Sequence, residues 1–143
     1  MTKERVLLVD DEEEFVAVLS QRMEARGVGV DQAAGGPEAI RKVEEGSYDA
    51  VILDLAMPEM DGIETLRRLL QKNPDLQVIL LTGHATLEKG IEAMKFGAMD
   101  FLEKPARIQE LMEKIEQAKA NRMLIVEQRM EERLKDIWKS KGW

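Results

Sequence analysis

Five short apolar runs, each followed by a stretch with helical spacing, divide most of the chain. The runs are predicted strands at Arg5 to Val9, Val28 to Ala33, Tyr48 to Asp54, Gln77 to Leu81 and Asp100 to Glu103. Between them, apolar residues recur at three- and four-residue steps, as in amphipathic helices. Alternating strands and helices favour a parallel sheet with helices on both faces, because right-handed crossovers allow few other arrangements. The predicted fold class is therefore α/β, a doubly wound five-stranded parallel sheet.

The helices between these strands have predicted caps and buried faces. The first helix has an apolar face formed by Phe15, Val18, Leu19 and Met23. Asp61 is expected to cap the third helix, with Glu64 at the spacing of a capping box. Thr86 is expected to cap the fourth, whose apolar residues are Ile91, Met94 and Phe96.

Composition excludes several kinds of protein. The chain has 143 residues and no cysteine, so disulfides, thiolate metal sites and cysteine nucleophiles are ruled out. Its net charge of -7 argues against nucleic acid as the main partner. No apolar run approaches the roughly 20 residues of a membrane span, and nothing at the start resembles a signal peptide. We therefore expect a cytoplasmic protein with no membrane or nucleic-acid partner.

Polar side chains occur where the predicted strands end. Asp10 and Asp11 follow the first strand, Asp54 ends the third, Thr82 ends the fourth and Lys104 follows the fifth. The carboxyl ends of parallel strands meet at one edge of a sheet, where ligands bind. We expect these five side chains to lie together in one cleft.

Three carboxylates in one cleft repel one another unless a cation lies among them. Mg²⁺ is the natural candidate, since it prefers carboxylate oxygens and retained waters and usually acts beside phosphate. An aspartate can act as a nucleophile and form an acyl phosphate. Asp54 is the predicted nucleophile, and Lys104 and Thr82 are expected to bind oxygens of its phosphoryl group.

Four motifs together resemble the receiver domains of bacterial two-component response regulators. They are VDDE at Val9 to Glu12, LDLAMPEMDG at Leu53 to Gly62, LLTGH at Leu80 to His84, and DFLEKP at Asp100 to Pro105. The resemblance implies a stand-alone receiver with a flavodoxin-like, chemotaxis-regulator-like sheet of order 2-1-3-4-5. It covers Lys3 to about Ala118, so we expect a receiver domain over residues 3–118 and a helical extension over residues 119–143.

The resemblance also implies roles for individual residues. Asp54 would accept a phosphoryl group from a sensor histidine kinase or a phosphotransfer protein. Asp10 and Asp11, with the Asp54 carboxylate and the Ala56 carbonyl, would hold Mg²⁺. Phe101 would swing inward when Thr82 moves, which would reshape the face formed by the fourth helix, fifth strand and fifth helix. An unknown output protein would bind that face, and the chain would be a phosphoacceptor rather than an enzyme.

Two residues near Asp54 are expected to affect the lifetime of the phosphoryl group. His84, the single histidine, lies two residues past Thr82 and can be near the phosphoryl group or simply on the surface. Ala56 offers no side-chain hydrogen bond to an attacking water. We expect dephosphorylation to depend on His84 and on water access.

Two other functions remain as alternatives. An aspartyl-phosphate phosphatase would also use a strand-end aspartate, but such enzymes resemble D-x-D, and Asp54-Leu55-Ala56 lacks the second acid. A phosphate-independent dimerisation or scaffold module would need no acid, threonine and lysine set.

The last part of the chain is rich in helix formers and lacks glycine and proline from Ala106 to Lys141. An apolar stripe at three- and four-residue steps continues past the receiver: Met123, Val126, Met130, Leu134 and Ile137. The stripe predicts association, either as a homodimer through this helix or as docking to a partner. The alternatives are that the segment folds back onto its own domain or frays.

Overall fold

A five-stranded parallel sheet with helices on both faces forms the protein. The computed structural model describes residues 4–57, 61–83 and 87–142. The strands are β1 (Arg5–Val9), β2 (Gly29–Ala33), β3 (Ala50–Asp54), β4 (Val78–Thr82) and β5 (Asp100–Glu103). The helices are α1 (Glu13–Glu24), α2 (Gly36–Glu45), α3 (Gly62–Lys72), α4 (Leu87–Met94) and α5 (Ile108–Ser140). The strand order is β2-β1-β3-β4-β5, which confirms the predicted doubly wound fold.

The central strands are buried on both faces, which explains their continuous apolar sequences. Every residue of β3 and β4 is buried, including Asp54 and Thr82 at their ends. Alternate residues of a strand point to opposite faces, so Leu7 and Leu8 of β1 enter different cores. Helices α2, α3 and α4 cover one face of the sheet, and α1 and α5 cover the other.

Some predicted helix faces are wrong in detail. In α1, Val16 is buried and Val18 is half exposed. Ile91 and Phe96 are also exposed, and α4 buries Gly90 and Ala93 instead. Small residues on the buried side let a helix lie close to the sheet, so the large apolar residues of this segment are left at the surface. Thr86, the predicted cap of α4, lies outside the described residues.

Asp61 caps α3 as predicted, because its Oδ1 accepts a hydrogen bond from the Ile63 amide at 3.0 Å. Glu64 does not complete a capping box. Its carboxylate instead accepts a hydrogen bond from Arg68 at 3.0 Å, one turn further along α3.

Helix α5 is continuous for 33 residues and therefore about 50 Å long. Its first turns pack on the sheet through Leu111, Ile115 and Ala118, and from Val126 onward every described residue is exposed. The helix neither folds back onto the domain nor frays before Ser140, so both of those alternatives are wrong. Within the described ranges, no helix combines the length and apolar character that crossing a membrane requires.

Candidate functional site

The carboxyl edge of the sheet brings together four of the five predicted side chains. Asp10 follows β1, Asp54 ends β3, and Lys104 follows β5. The Lys104 Nζ lies 3.1 Å from Asp10 Oδ2 and 3.3 Å from Asp54 Oδ2. Asp11 lies beside them, and a carboxylate oxygen from each of the three aspartates falls within 4.8 Å of the others. Residues far apart in the chain thus form one polar cluster.

Backbone amides fix the second oxygen of each buried carboxylate. Asp10 Oδ1 accepts a hydrogen bond from the Glu12 amide at 2.9 Å, and Asp54 Oδ1 accepts one from the Ala56 amide at 3.0 Å. Asp10 and Asp54 are almost completely buried, whereas Asp11 is exposed. Two carboxylates are therefore held in place from the protein side, and the third faces the solvent.

The charges of the cluster shift the pKa values of two of its members. Burial raises the pKa of Asp10, opposed by the hydrogen bond from the Glu12 amide, while the nearby Asp54 charge raises it further. For Lys104, burial acts to lower the pKa, but the charges of Asp54 and Asp10 outweigh it and raise the pKa above its usual value. Lys104 is thus a fixed positive charge at neutral pH, and Asp10 ionises less readily than an ordinary aspartate.

Phe15 is a member of this site that the sequence did not reveal. The Lys104 Nζ lies 4.3 Å from the centroid of the Phe15 ring, a cation–π geometry. Phe15 lies in the first turn of α1 and was predicted only as part of the apolar face of that helix. It is half-buried and packs on the core beneath α1. The ring thus limits where the Lys104 ammonium can lie.

The cluster fits a hard divalent cation. Carboxylate oxygens are the ligands that Mg²⁺ prefers, and three of them converge here, one from a side chain open to solvent. The Lys104 ammonium offsets part of their charge. Asp10, Asp11 and Asp54 could therefore hold a metal ion. The backbone amide of Ala56 donates a hydrogen bond to Asp54, and the metal-binding role expected for the Ala56 carbonyl stays a prediction.

Thr82 lies at the end of β4, next to the cluster, but its hydroxyl makes its hydrogen bond to β5 and not to the aspartates. It is fully buried, and its Oγ1 donates to the Leu102 carbonyl at 3.4 Å, a long contact. Gly90 of α4 packs directly on this side chain, since a Cβ built on Gly90 would lie 2.8 Å from Thr82 Cγ2. The Thr82 side chain is thus enclosed by α4 on one side and makes only a long hydrogen bond to β5, while its backbone carbonyl accepts a hydrogen bond from the Lys104 amide at 2.7 Å.

Phe101 of β5 is half-buried and packs against the core under α2, α3 and α4. A Cβ on Gly90 would lie 3.9 Å from Phe101 Cγ, so α4 leaves little space between Thr82 and this ring. The inward movement expected for Phe101 stays a prediction. The described residues do not include His84, Pro58, Glu59 and Met60. The expected effect of His84 on the lifetime of the phosphoryl group therefore stays a prediction.

Comparisons with known proteins agree with this geometry. The chain is 35% identical over 116 residues to the transcriptional regulatory protein ZraR of Salmonella typhimurium, covering 81% of this chain and 26% of ZraR. The chain therefore spans about a quarter of the length of that relative.

Solved structures are similar over more of the chain. A response regulator receiver domain protein from Clostridium thermocellum matches with a TM-score of 0.82 and 35% identity, covering 85% of this chain and 98% of that one. NtrX from Brucella abortus, in complex with ADP, matches with a TM-score of 0.78 and 25% identity over 99% of this chain and 30% of its own. The second match includes the extension as well as the sheet.

The family assignment rests on sequence as well as on structure. Receiver domains are typically phosphoacceptors rather than catalytic enzymes, and the acidic cluster at the sheet edge suits that role. A sequence model described as the response regulator receiver domain matches residues 6–116. The chain belongs to the response regulator receiver domain family of two-component systems.

Proposed function

We propose that Asp54 accepts a phosphoryl group from the phosphohistidine of a sensor kinase or phosphotransfer protein, and that the modified protein controls a protein partner. The observation that carries this proposal is the position of Asp54. Its carboxylate is buried at the end of β3, 3.3 Å from the Lys104 ammonium and beside two further acids. A buried carboxylate so placed is oriented for reaction rather than for solubility.

The reaction is an in-line displacement at phosphorus. A carboxylate oxygen of Asp54 attacks the phosphorus, the P–N bond to the donor imidazole breaks, and its electron pair remains on the imidazole nitrogen, which takes up a proton. The hydrogen bond from Ala56 and the contact with Lys104 orient the carboxylate before attack. Lys104, which is positively charged, then binds a phosphoryl oxygen, and the Thr82 hydroxyl binds another.

Asp10, Asp11 and Asp54 would hold Mg²⁺, with the Ala56 carbonyl as a further ligand. When bound, the ion supplies neutralising charge for the phosphoryl oxygens. The carboxylates of Asp10 and Asp11 would contribute by holding the ion next to Asp54. In the structure the Lys104 ammonium contacts both buried acids, Asp10 and Asp54. With a metal ion bound to these acids, Lys104 would be free to move toward the phosphoryl oxygens.

The proposed response to phosphorylation is a shift in population between two conformations. Movement of the Thr82 hydroxyl toward a phosphoryl oxygen breaks its long bond to the Leu102 carbonyl and vacates space beside Gly90. Phe101, half-buried on the neighbouring strand, can enter that space. The surface of α4, β5 and α5 then differs between the two states, and an output protein that binds one state senses the phosphate.

We also propose a division of the chain into a receiver domain, residues 3–118, and a C-terminal extension, residues 119–143. Ala118 is the last buried residue of α5, which supports a boundary there, although the helix itself runs through it without a break. The extension is proposed to serve association with another protein chain.

Intact mass spectrometry tests the phosphoacceptor role. The full chain is incubated with acetyl phosphate and Mg²⁺, beside Asp54→Asn and a matched Asp136→Asn control on the exposed extension. We expect one phosphoryl adduct on the parent and on Asp136→Asn, none on Asp54→Asn, and loss of the adduct when Mg²⁺ is chelated. A parent protein without an adduct would rule out the proposal and favour a phosphate-independent scaffold. Multiple turnovers of a phosphate ester would favour a phosphatase instead.

A further inference from the structure

Strand β2 lies at one edge of the sheet, and its outer side has no strand beside it in the part of the chain that the structure describes. The Gly29 amide and the Ala33 carbonyl both bond to backbone groups at the two ends of β1. Backbone groups of successive residues alternate in direction along a parallel strand, so Asp31 also faces β1. The N–H and C=O groups of Val30 and Gln32 therefore point outward, away from the sheet.

Two cavities lie along this open edge, between α1 and α2. The larger has a volume of about 660 Å³ and is bordered by residues 30–34, by Glu13 and Val16 of α1, and by Glu38 and Lys42 of α2. The smaller, of about 290 Å³, continues toward the end of α2 and also has Lys42 in its wall. Together they form the β2 groove, which follows a strand of five residues, about 16 Å long. The groove is long enough for an extended segment of another chain.

Lys42 crosses the groove and covers part of the strand edge. Its ammonium donates a hydrogen bond to the outward carbonyl of Gln32 and lies 3.5 Å from Glu38 Oε1. A lysine over an exposed strand edge protects a protein against indiscriminate strand pairing. The Lys42 side chain is 34% exposed, so it can swing into the solvent without a movement of the backbone. A segment that makes stronger contacts than this hydrogen bond can therefore replace the ammonium.

The walls of the groove indicate which side chains such a segment carries. Side chains of a strand beside β2 alternate between the α1 side and the α2 side. The α1 side contains Val16 and the half-buried Val30, which suit apolar side chains. The α2 side contains Asp31, Glu38 and Glu45, which suit basic side chains. Among the described residues that line the two cavities, six are acids and two are bases, so the groove as a whole favours a basic segment.

A second copy of this chain does not match the groove. Pairing of β2 with its own copy would bring two acidic grooves together, and the like charges would repel. The sequence of β2, GVDQA, offers no basic side chain to either groove. The charge of the groove therefore favours a different protein as the partner.

We propose that the β2 groove binds an extended segment of a partner protein as a sixth strand of the sheet. The segment alternates apolar and basic residues, pairs with the outward backbone groups of Val30 and Gln32, and displaces the Lys42 ammonium. In this mode of recognition the main-chain hydrogen bonds supply affinity, and the alternate side chains supply specificity. The proposal does not rest on phosphoryl transfer at Asp54, which lies outside the groove.

Amide hydrogen exchange, followed by NMR on the full chain, tests the mode of binding. The probe is a synthetic peptide about seven residues long that alternates valine and lysine and has both ends blocked. At saturation we expect it to slow exchange of the Val30 and Gln32 amides about tenfold or more, and to change exchange of the Gly29 and Asp31 amides, which face β1, less than about twofold. Binding that leaves the Val30 and Gln32 amides unprotected would be charge attraction without strand pairing and would overturn the proposal.

Calorimetric titration with matched peptides tests the contacts that the proposal requires. The same peptide with its central backbone amides methylated keeps its charge and side chains but cannot pair as a strand, and it should bind about tenfold more weakly or worse. A peptide with glutamate in place of lysine should not bind at about 1 mM. Equal affinity for the methylated and unmethylated peptides, or no binding of the valine–lysine peptide at about 1 mM, would refute strand addition.

Substitution of Lys42 tests its displacement from the strand edge. Lys42→Met removes the ammonium, and Arg41→Met makes the same change of charge at the neighbouring exposed residue of α2. We expect Lys42→Met to lower the dissociation constant of the valine–lysine peptide about threefold or more, and Arg41→Met to lower it less than about twofold. Asp54→Asn should bind the peptide like the parent, which separates this proposal from phosphoacceptance. Equal effects of the Lys42 and Arg41 substitutions would contradict the displacement of Lys42 and the strand pairing that requires it.

Discussion

Replacing Gly90 with alanine tests how closely α4 packs on Thr82. The new Cβ would lie 2.8 Å from Thr82 Cγ2, whereas carbon atoms in contact are normally about 3.5–4.0 Å apart. Either α4 or the Thr82 side chain must therefore move by about 0.7 Å or more. Thr82 is fully buried, and its strand β4 lies between β3 and β5. A movement of α4 or of the Thr82 side chain would therefore disturb the residues packed around them.

The expected change in stability is the sum of two opposing effects. Overpacking a close contact costs about 2 kcal/mol, and alanine in place of glycine inside a helix gains about 1 kcal/mol. Gly90→Ala should therefore lower the free energy of unfolding by about 1 kcal/mol, or the melting temperature by about 3 °C. The displaced Thr82 should also alter the initial rate of phosphorylation by acetyl phosphate.

Urea unfolding and intact-mass kinetics measure these two effects. Gly83→Ala is the matched control, because it adds the same methyl group next to Thr82 in the chain but meets nothing within 4 Å in the parts of the chain that the structure describes. The control should leave the phosphorylation rate unchanged. If Gly90→Ala is as stable as the parent or more stable, the close contact between α4 and Thr82 is refuted.

Three further predictions concern charges and aromatic rings. Phe15→Leu keeps an apolar side chain but removes the ring under the Lys104 ammonium. It should slow phosphorylation, followed by intact mass, about threefold and leave the Mg²⁺ affinity, followed by fluorescence titration, almost unchanged. Burial and the hydrogen bond to Asp31 raise the pKa of Tyr48 to about 12, so the unfolded chain loses this proton first and stability should fall by up to about 3 kcal/mol between pH 10 and 12; Tyr48→Phe should lack this part of the loss in urea unfolding. Burial raises the pKa of Asp10 above its usual value, so the folded state holds its proton longer than the unfolded chain does. The metal-free protein should therefore lose stability relative to Asp10→Asn as the pH rises above about 4, the usual pKa of an aspartate. A difference in melting temperature that stays constant with pH would contradict the shift.

The edge of the sheet was predictable from the sequence because strand ends are visible as polar residues after apolar runs. Asp10, Asp54 and Lys104 lie at the ends of three such runs, and the parallel topology places those ends at one edge. The strand boundaries moved by only a residue or two; the fourth apolar run is Gln77 to Leu81, whereas β4 is Val78–Thr82. The meeting of these side chains at hydrogen-bond distance follows from topology more than from any local preference.

Contacts between distant side chains were not predictable in the same way. The periodicity of α1 indicates that Phe15 lies on the apolar face of the helix, but it does not indicate that the ring contacts Lys104. Likewise, Ile91 was expected in the core because it is large and apolar, and Gly90 took that place because α4 approaches the sheet closely. The bond between Arg122 and Asp49 spans 73 residues, and nothing in either local sequence indicates it.

The polar contacts at the base of the domain give α5 the properties of a lever. Arg122 and Arg129 hold the helix to the loops before β3 and β4, and its free arm from Met130 to Ser140 is about 15 Å long. A tilt of about 10° around Arg129 would carry the far end through about 3 Å, roughly half the rise of one helical turn. A rearrangement where the helix meets the sheet would therefore be larger at the tip of the helix than at its origin.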